Sequence, residues 1–214
     1  CDRAGRAVPE GVQLGTNPCS EIILRPMQFC NLSTIVVKST DTLNQITEKI
    51  HMATILGTVQ SKMAYFPYLR QEWKQNSEDE RLLGVSMTGI FDNLFMTGAI
   101  SPTELIDFLQ ELRALTVTVN KEWAEKIGIN PSTATTCVKP EGTTSCLAGS
   151  SSGLHPQHSS YYIRRVRIDK KDPVYRMMAD QGITVEDCVM NPDSTAIFSF
   201  PMKAAEGART AETL

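Results

Sequence analysis

Residues 17–37 read Asn17-Pro-Cys-Ser-Glu-Ile22, then Ile23-Leu-Arg-Pro-Met-Gln-Phe29, then Cys30-Asn-Leu-Ser-Thr-Ile-Val-Val37. The final part, Leu32–Val37, is a short β-branched run that predicts a buried strand. The first part sets an amide, a thiol and a carboxylate at alternate positions: Asn17, Cys19 and Glu21. Pro18 biases Asn17 towards extended backbone, where alternate side chains point the same way. The expectation is a loop that turns all three groups towards one ligand and then enters a strand. The bland alternative is a solvated Asn-Pro turn.

Outward from this stretch, strands alternate with helices. A helix is expected from Thr40 or Asp41 as N-cap, with apolar residues at Leu43, Ile46, Ile50, Ala53, Leu56, Val59 and Met63. Leu82–Ile90 fits either strand or helix. Ser101-Pro-Thr-Glu104 is a capping box with proline in the first turn. The face Leu105, Leu109, Leu112, Val119 and Trp123 comes after it, and Gly128 supplies the stop. Thr133–Val138, Tyr161–Ile168 and Ala196–Phe200 read as strands, and Asp172-Pro173 caps a short helix ending near Gly182. The alternation predicts an α/β fold with parallel strand pairs.

Composition bounds the function. The 214 residues are 41% hydrophobic and 21% charged, with a net charge of -3, which suits one large domain or two small ones. The charge argues against a basic nucleic-acid or anionic-membrane surface but leaves room for a small phosphate pocket. No apolar run reaches the ~18 residues of a membrane-spanning helix, and nothing resembles a secretory signal. A cytoplasmic protein with no membrane or nucleic-acid partner is expected.

The six cysteines contain no CxxC pair, so no zinc ribbon or thioredoxin motif is present. Cys137 and Cys188 read as small buried hydrophobes, and Met177 and Met178 as core. His155 and His158 flank a proline in a loop and make a poor metal pair, so no metal site is expected. The chain opens on Cys1, which also fits an intein junction, and closes on Arg209–Leu214, which reads as the start of a helix. A segment of a longer protein is the expectation.

Lys139-Pro-Glu-Gly-Thr-Thr-Ser145 succeeds an expected strand. If a helix starts there, Gly142, Thr143, Thr144 and Ser145 offer backbone N–H groups and hydroxyls that can cradle phosphate. The motif is not a Walker A loop, and an ordinary turn is its plain alternative.

Together these motifs resemble the class II, adenosylcobalamin-dependent ribonucleotide reductases. The resemblance rests on NPCSEI, on the eleven-residue interval from Cys19 to Cys30, and on CNL entering a strand. It extends to KPEGT, Gly153-Leu-His-Pro156 and Ser160-Tyr-Tyr-Ile-Arg-Arg165, which look like the monomeric, triphosphate-reducing type. It implies part of a ten-stranded α/β barrel, with residues 1–31 as the finger-loop region and 32–214 as second-half-barrel strands and helices.

The resemblance also implies roles. Cys19 is the thiyl-radical residue, Glu21 the general base, Asn17 a substrate contact and Cys30 one half of a redox pair. The partner of Cys30 lies on an earlier strand in that family, and no cysteine here occupies a matching position. The loop at Gly142–Ser145 binds substrate phosphates, and Glu141 stands where the family often has serine. Implied partners are adenosylcobalamin, a ribonucleoside triphosphate, a thioredoxin-like or dithiol reductant, and the remaining pieces of the same enzyme. The rival readings are a class I reductase core, which places its second cysteine further along, and a nucleotide-binding module without chemistry. A lone half-barrel exposes strand edges and an apolar interior, so the segment alone is expected to be inactive and poorly soluble.

Overall fold

The computed structural model describes Arg6 and residues 10–214; Cys1, and with it the intein reading, lies outside them. The β-branched run forms strand β3 (Asn31–Val36), after two short strands, β1 (Gly15–Thr16) and β2 (Ile23–Leu24). Helices α1 (Leu43–Ser61) and α2 (Gln71–Glu80) then lead to β4 (Leu83–Thr88), which settles the ambiguous 82–90 stretch as strand. β4 pairs with β3 in parallel, from Asn31 opposite Leu83 to Val36 opposite Thr88. A parallel pair requires such a crossover, because a tight turn reverses chain direction.

Helix α3 (Pro102–Ile127) makes the next crossover. The chain then runs beside β4: Leu83 N–H and Val85 N–H donate to the carbonyls of Ala134 and Thr135, and Cys137 N–H donates to Val85. Thr133–Val138 was expected as a full strand, but only the Val85–Thr136 bridge has ladder geometry. The Thr135 hydroxyl is committed to Thr116 of α3 at 2.8 Å, which ties this segment to the helix layer as well as to β4.

One face of the β3–β4 pair packs on α1 and α3. Ile35, Val37 and Val85 meet Ile46, Ile50 and Ala53 of α1 and Phe108 and Leu112 of α3; burying such a side chain is worth about 1.5–3 kcal/mol. The capping box at Ser101 and Glu104 is present, and Gly128 closes α3 in the left-handed conformation at φ 68.

Two details of α1 depart from expectation. Its N-cap is Thr42, whose hydroxyl accepts from Gln45 N–H in a reciprocal box, while the Asp41 carboxylate turns back to Lys38 N–H and pairs with Lys49. Its inner face also changes character halfway: Thr54, Gly57, Thr58 and Ser61 are buried, whereas Leu56, Val59 and Met63 are exposed, Leu56 by 64%. The buried hydroxyls bond to carbonyls three or four residues back, so the helix carries its own polar groups into a close approach. A side chain at Gly57 would reach Ser33 and Leu83.

The C-terminal third is an antiparallel sheet in the order β5 (Tyr161–Asp169), β7 (Thr195–Lys203), β6 (Val185–Asp187), which departs from the parallel pairing expected. Asp172 caps α5 (Pro173–Asp180), whose Tyr175 packs on Phe198 at 5.9 Å. Met177, expected in the core, is 54% exposed, and no residue of α5 is buried. Arg209–Leu214 is not helical: Thr213 Oγ1 accepts from Thr210 N–H at 2.9 Å, a local turn that competes with helix. No helix of the described residues is long and apolar enough to cross a membrane.

Candidate active site

The cysteine loop and the 134–137 segment approach the face of β3 and β4 that looks away from the helices. Leu32 and Thr34 stand opposite Gly84 and Ser86, and a side chain added at Gly84 would lie 2.5 Å from Leu32, 2.8 Å from Cys137 Sγ and 3.2 Å from Ile22. Glycine there lets the cysteine loop and the 134–137 segment close over one surface. Cys30 enters this surface directly before β3.

The cysteine loop does not have the extended form its sequence suggests. β1 and β2 pair antiparallel, and residues 17–22 close the hairpin. Asn17 Oδ1 accepts from Ile22 N–H at 3.0 Å, Asn17 N–H donates to Ile22 O at 3.2 Å, and Ser20 sits at φ 62. A turn at Pro18-Cys19-Ser20 breaks the two-residue alternation, so Cys19 is exposed at its tip while the carboxylate of Glu21 is turned inward. Asn17 uses its amide oxygen to brace the turn. The three groups therefore do not share one direction.

Both carboxylate oxygens of Glu21 are buried without a hydrogen-bond partner. A buried polar atom left unpaired costs about 1–3 kcal/mol, more when charged. Glu21 borders an open cavity of about 690 Å³ that reaches round to the helix side of β4, where Ile50 of α1 and Leu109, Leu112 and Arg113 of α3 line it together with Ser20 and Cys137, a size ordinary for small-molecule sites.

Glu21 acts electrically on both Cys30 and Cys137, and Cys137 acts on Cys30. Burial pushes the Cys30 thiol up to about 12, reinforced by Cys137 and Glu21 and opposed by Arg6. Burial pushes Cys137 up to about 12 as well, with Glu21 and Glu141 adding to it. Both thiols stay protonated at neutral pH. Cys137 was expected as an inert core residue; it is half-buried and lines the cavity instead. Its position two residues before Lys139 was the available signal, since both flank the Gly-Thr loop.

Helix α4 (Gly142–Ala148) starts at Gly142, so the helix start required for a phosphate cradle is present. Gly142 and Thr143 are exposed and Thr144 half-exposed, but Ser145 is buried and its hydroxyl bonds to Gly142 O at 3.3 Å. Glu141, at φ 55, buries its side chain completely. One oxygen accepts from the Thr34 hydroxyl and lies 3.8 Å from Lys139 Nζ; the other has no partner. Its charge thus points into the sheet and away from the exposed loop. Asp92 anchors the chain beyond α4, accepting from Ser151 N–H at 2.6 Å and Gln157 Nε2 at 3.0 Å. Among the described residues no group of three or more His, Cys, Asp or Glu is arranged to hold a metal ion.

No protein-family model matches the chain. It is 30% identical over 200 residues to the adenosylcobalamin-dependent ribonucleoside-triphosphate reductase of Euglena gracilis, covering 92% of this chain and 26% of that protein. The enzyme of the same name from Lactobacillus acidophilus is 28% identical over 214 residues, covering 89% and 28%. A solved class II, B12-dependent ribonucleotide reductase superposes with a TM-score of 0.74 at 24% identity, over 95% of this chain and 31% of that one. The fold is therefore that of part of the class II catalytic domain, and the chain spans less than a third of the length of each of these proteins.

Proposed function

We propose that this chain is a segment of an adenosylcobalamin-dependent ribonucleotide reductase, acting on ribonucleoside triphosphates and contributing the radical cysteine, the base and one redox thiol. The observation that carries the reading is the inward, unpartnered carboxylate of Glu21 on the same surface as the Cys30 thiol, two residues from the exposed Cys19. Exposure of Cys19 at the tip of a tight turn suits access by a radical generator. Adenosylcobalamin, when bound, would supply the radical chemistry that activates this thiol.

The remaining steps belong to the chain's own residues. Cys19, as a thiyl radical, takes the ribose 3′ hydrogen, a feasible exchange because S–H and activated C–H bonds are of similar strength. Glu21 accepts the 3′-hydroxyl proton, the 2′-hydroxyl takes a proton from one of the two redox thiols and leaves as water, and Glu21 returns its proton to O3′ when C3′ is restored. Two thiols, Cys30 and a second one from elsewhere in the enzyme, supply two electrons and two protons and close one disulfide. Cys19 returns its hydrogen to C3′. A neutral Cys30 thiol suits this role because it carries the proton along with the electron. Asn17 braces the turn and presents the loop to the ribose. Gly142, Thr143 and Thr144 receive the phosphates through N–H and hydroxyl donors, with Ser145 holding the first turn of α4. A dithiol or thioredoxin-like reductant reopens the disulfide.

The test is deoxynucleotide formation by the complete reductase with adenosylcobalamin, a ribonucleoside triphosphate and a dithiol, without any metal-containing subunit. Turnover supports the reading. Activity that requires a second radical-generating subunit would replace it with the class I alternative.

A further inference from the structure

Helix α2 has almost no apolar surface: Gln71-Glu-Trp-Lys-Gln-Asn-Ser-Glu-Asp-Glu80. Nothing in the proposed chemistry calls on it. Yet residues 73, 76, 77 and 80, which share one face of a helix, all grip residues 25–29, the limb of the cysteine loop that returns to Cys30. Trp73 packs against Phe29 in a tilted ring contact with centroids 4.6 Å apart. Asn76 Nδ2 donates to Pro26 O at 3.0 Å, and Asn76 O accepts from Gln28 Nε2 at 3.1 Å. Ser77 Oγ accepts from Phe29 N–H at 3.4 Å.

Glu80 completes the set. It is buried, accepts from Arg6 at 2.8 and 2.7 Å through both oxygens, takes a further hydrogen bond from Gln28 at 2.5 Å, and lies 3.2 Å from Arg25 Nε. Arg6 also donates to Ile23 O at 2.6 Å, and Gln28 accepts from Arg25 N–H at 2.9 Å. Burial alone would raise Glu80, but hydrogen bonds from Arg6 and Gln28 and the charges of Arg6 and Arg25 hold it below the usual carboxylate range. The Glu80 carbonyl receives Thr133 N–H at 3.0 Å, which joins the same point to the segment bearing Cys137.

We infer that α2 is a positioning rack for the return limb of the cysteine loop, with Glu80 as the positioning residue that sets where Cys30 stands relative to the loop tip and to Cys137. The inference rests on the reading of Cys30 as a redox thiol. Buried charges so thoroughly paired are costly to assemble and collapse when one partner is removed, so Glu80 acts as a clamp whose loss frees residues 25–29. The hairpin of residues 15–24 meets the clamp through the Arg6 bond to Ile23 O, but its own ladder and turn bonds set the position of Cys19.

The test uses the complete reductase with Glu80→Gln, and Asn76→Ala as a milder variant that leaves the buried charges alone. The rack predicts a split. Exchange of the 5′ hydrogen of adenosylcobalamin, which reports radical formation at Cys19, stays within about twofold. Multiple-turnover reduction falls about tenfold in Glu80→Gln, and alkylation of Cys30 by iodoacetamide, followed at the peptide level without cofactor, speeds up by about tenfold, the equivalent of losing roughly one charge-assisted hydrogen bond. Asn76→Ala shows the same split at about threefold. Equal loss of exchange and turnover, or unchanged alkylation in both variants, overturns the rack. Cys30→Ser separates the two claims: if it sustains normal turnover, the redox reading fails and the inference with it. If it exchanges without turning over while Glu80→Gln behaves as wild type, only the rack fails.

Discussion

Replacing Gly89 by alanine tests the junction that holds the Gly-Thr loop to the sheet. Gly89 ends β4 at φ 80, and a Cβ there would lie 2.2 Å from the carbonyl oxygen of Val37. Left-handed backbone costs a non-glycine residue about 1–2 kcal/mol. The clash adds to this, because its partner is backbone and cannot swing aside. Relief requires a shift of about 1 Å to reach ordinary contact. The neighbouring bonds that must stretch are Gly89 N–H to Ser151 O at 2.9 Å and Val37 N–H to Thr88 O at 2.8 Å, each worth about 1 kcal/mol net. The total is about 3–4 kcal/mol. Two controls bracket it. Gly128, at φ 68 with nothing within 4 Å, should cost only the conformational part, and Gly142, open and without a positive φ, should cost almost nothing. Urea unfolding of the complete reductase, compared by midpoint at constant slope, reads the series. A Gly89→Ala variant no less stable than Gly128→Ala would refute the steric reasoning.

The site itself yields two more expected outcomes. Glu21→Gln should slow reduction by roughly 10²–10⁴-fold with little change in nucleotide affinity, the range for a lost general base; a loss confined to binding, measured by nucleotide titration, would make Glu21 a structural contact. The thiols of Cys30 and Cys137 are raised from 9.0 to about 12, so the fold favours their neutral forms. Their contribution to stability is present below about pH 9 and is lost as pH rises towards 12, because the native state then holds protons that the unfolded chain has released. Peptide-resolved alkylation should therefore find both thiols still slow at pH 9, and half-maximal reactivity there would contradict the burial argument.

Much of the fold was legible in the sequence where a single physical cause acts. Leu32–Val37 became strand because its β-branched residues suit a buried sheet, and Ser101 and Gly128 bound α3 because capping chemistry is local. Legibility failed where tertiary context overrode a local pattern. Alternation placed Asn17, Cys19 and Glu21 on one side, but Asn17 Oδ1 closed a turn onto Ile22 and sent Cys19 out and Glu21 in. Helical spacing put Leu56 and Met63 in the core, but small hydroxyl residues took the close approach to the sheet. Helix α2 escaped hydrophobic periodicity because, apart from the Trp73 contact with Phe29, its partners are the amides, carbonyls and charges of residues 25–29 and Arg6, a residue 74 positions from Glu80. Glu141 read as a charge beside the phosphate loop, and only its bond to Thr34 reveals that it faces the other way.

The role of Cys19 is tested most directly by Cys19→Ser in the complete reductase, assayed for deoxynucleotide formation with adenosylcobalamin and a dithiol. Serine is nearly the same size, and the exposed tip of the turn tolerates it, but an O–H bond is too strong to exchange hydrogen with the ribose in this way. The account predicts no product above background from a protein that unfolds at the wild-type midpoint. Turnover that persists in the serine variant would contradict it.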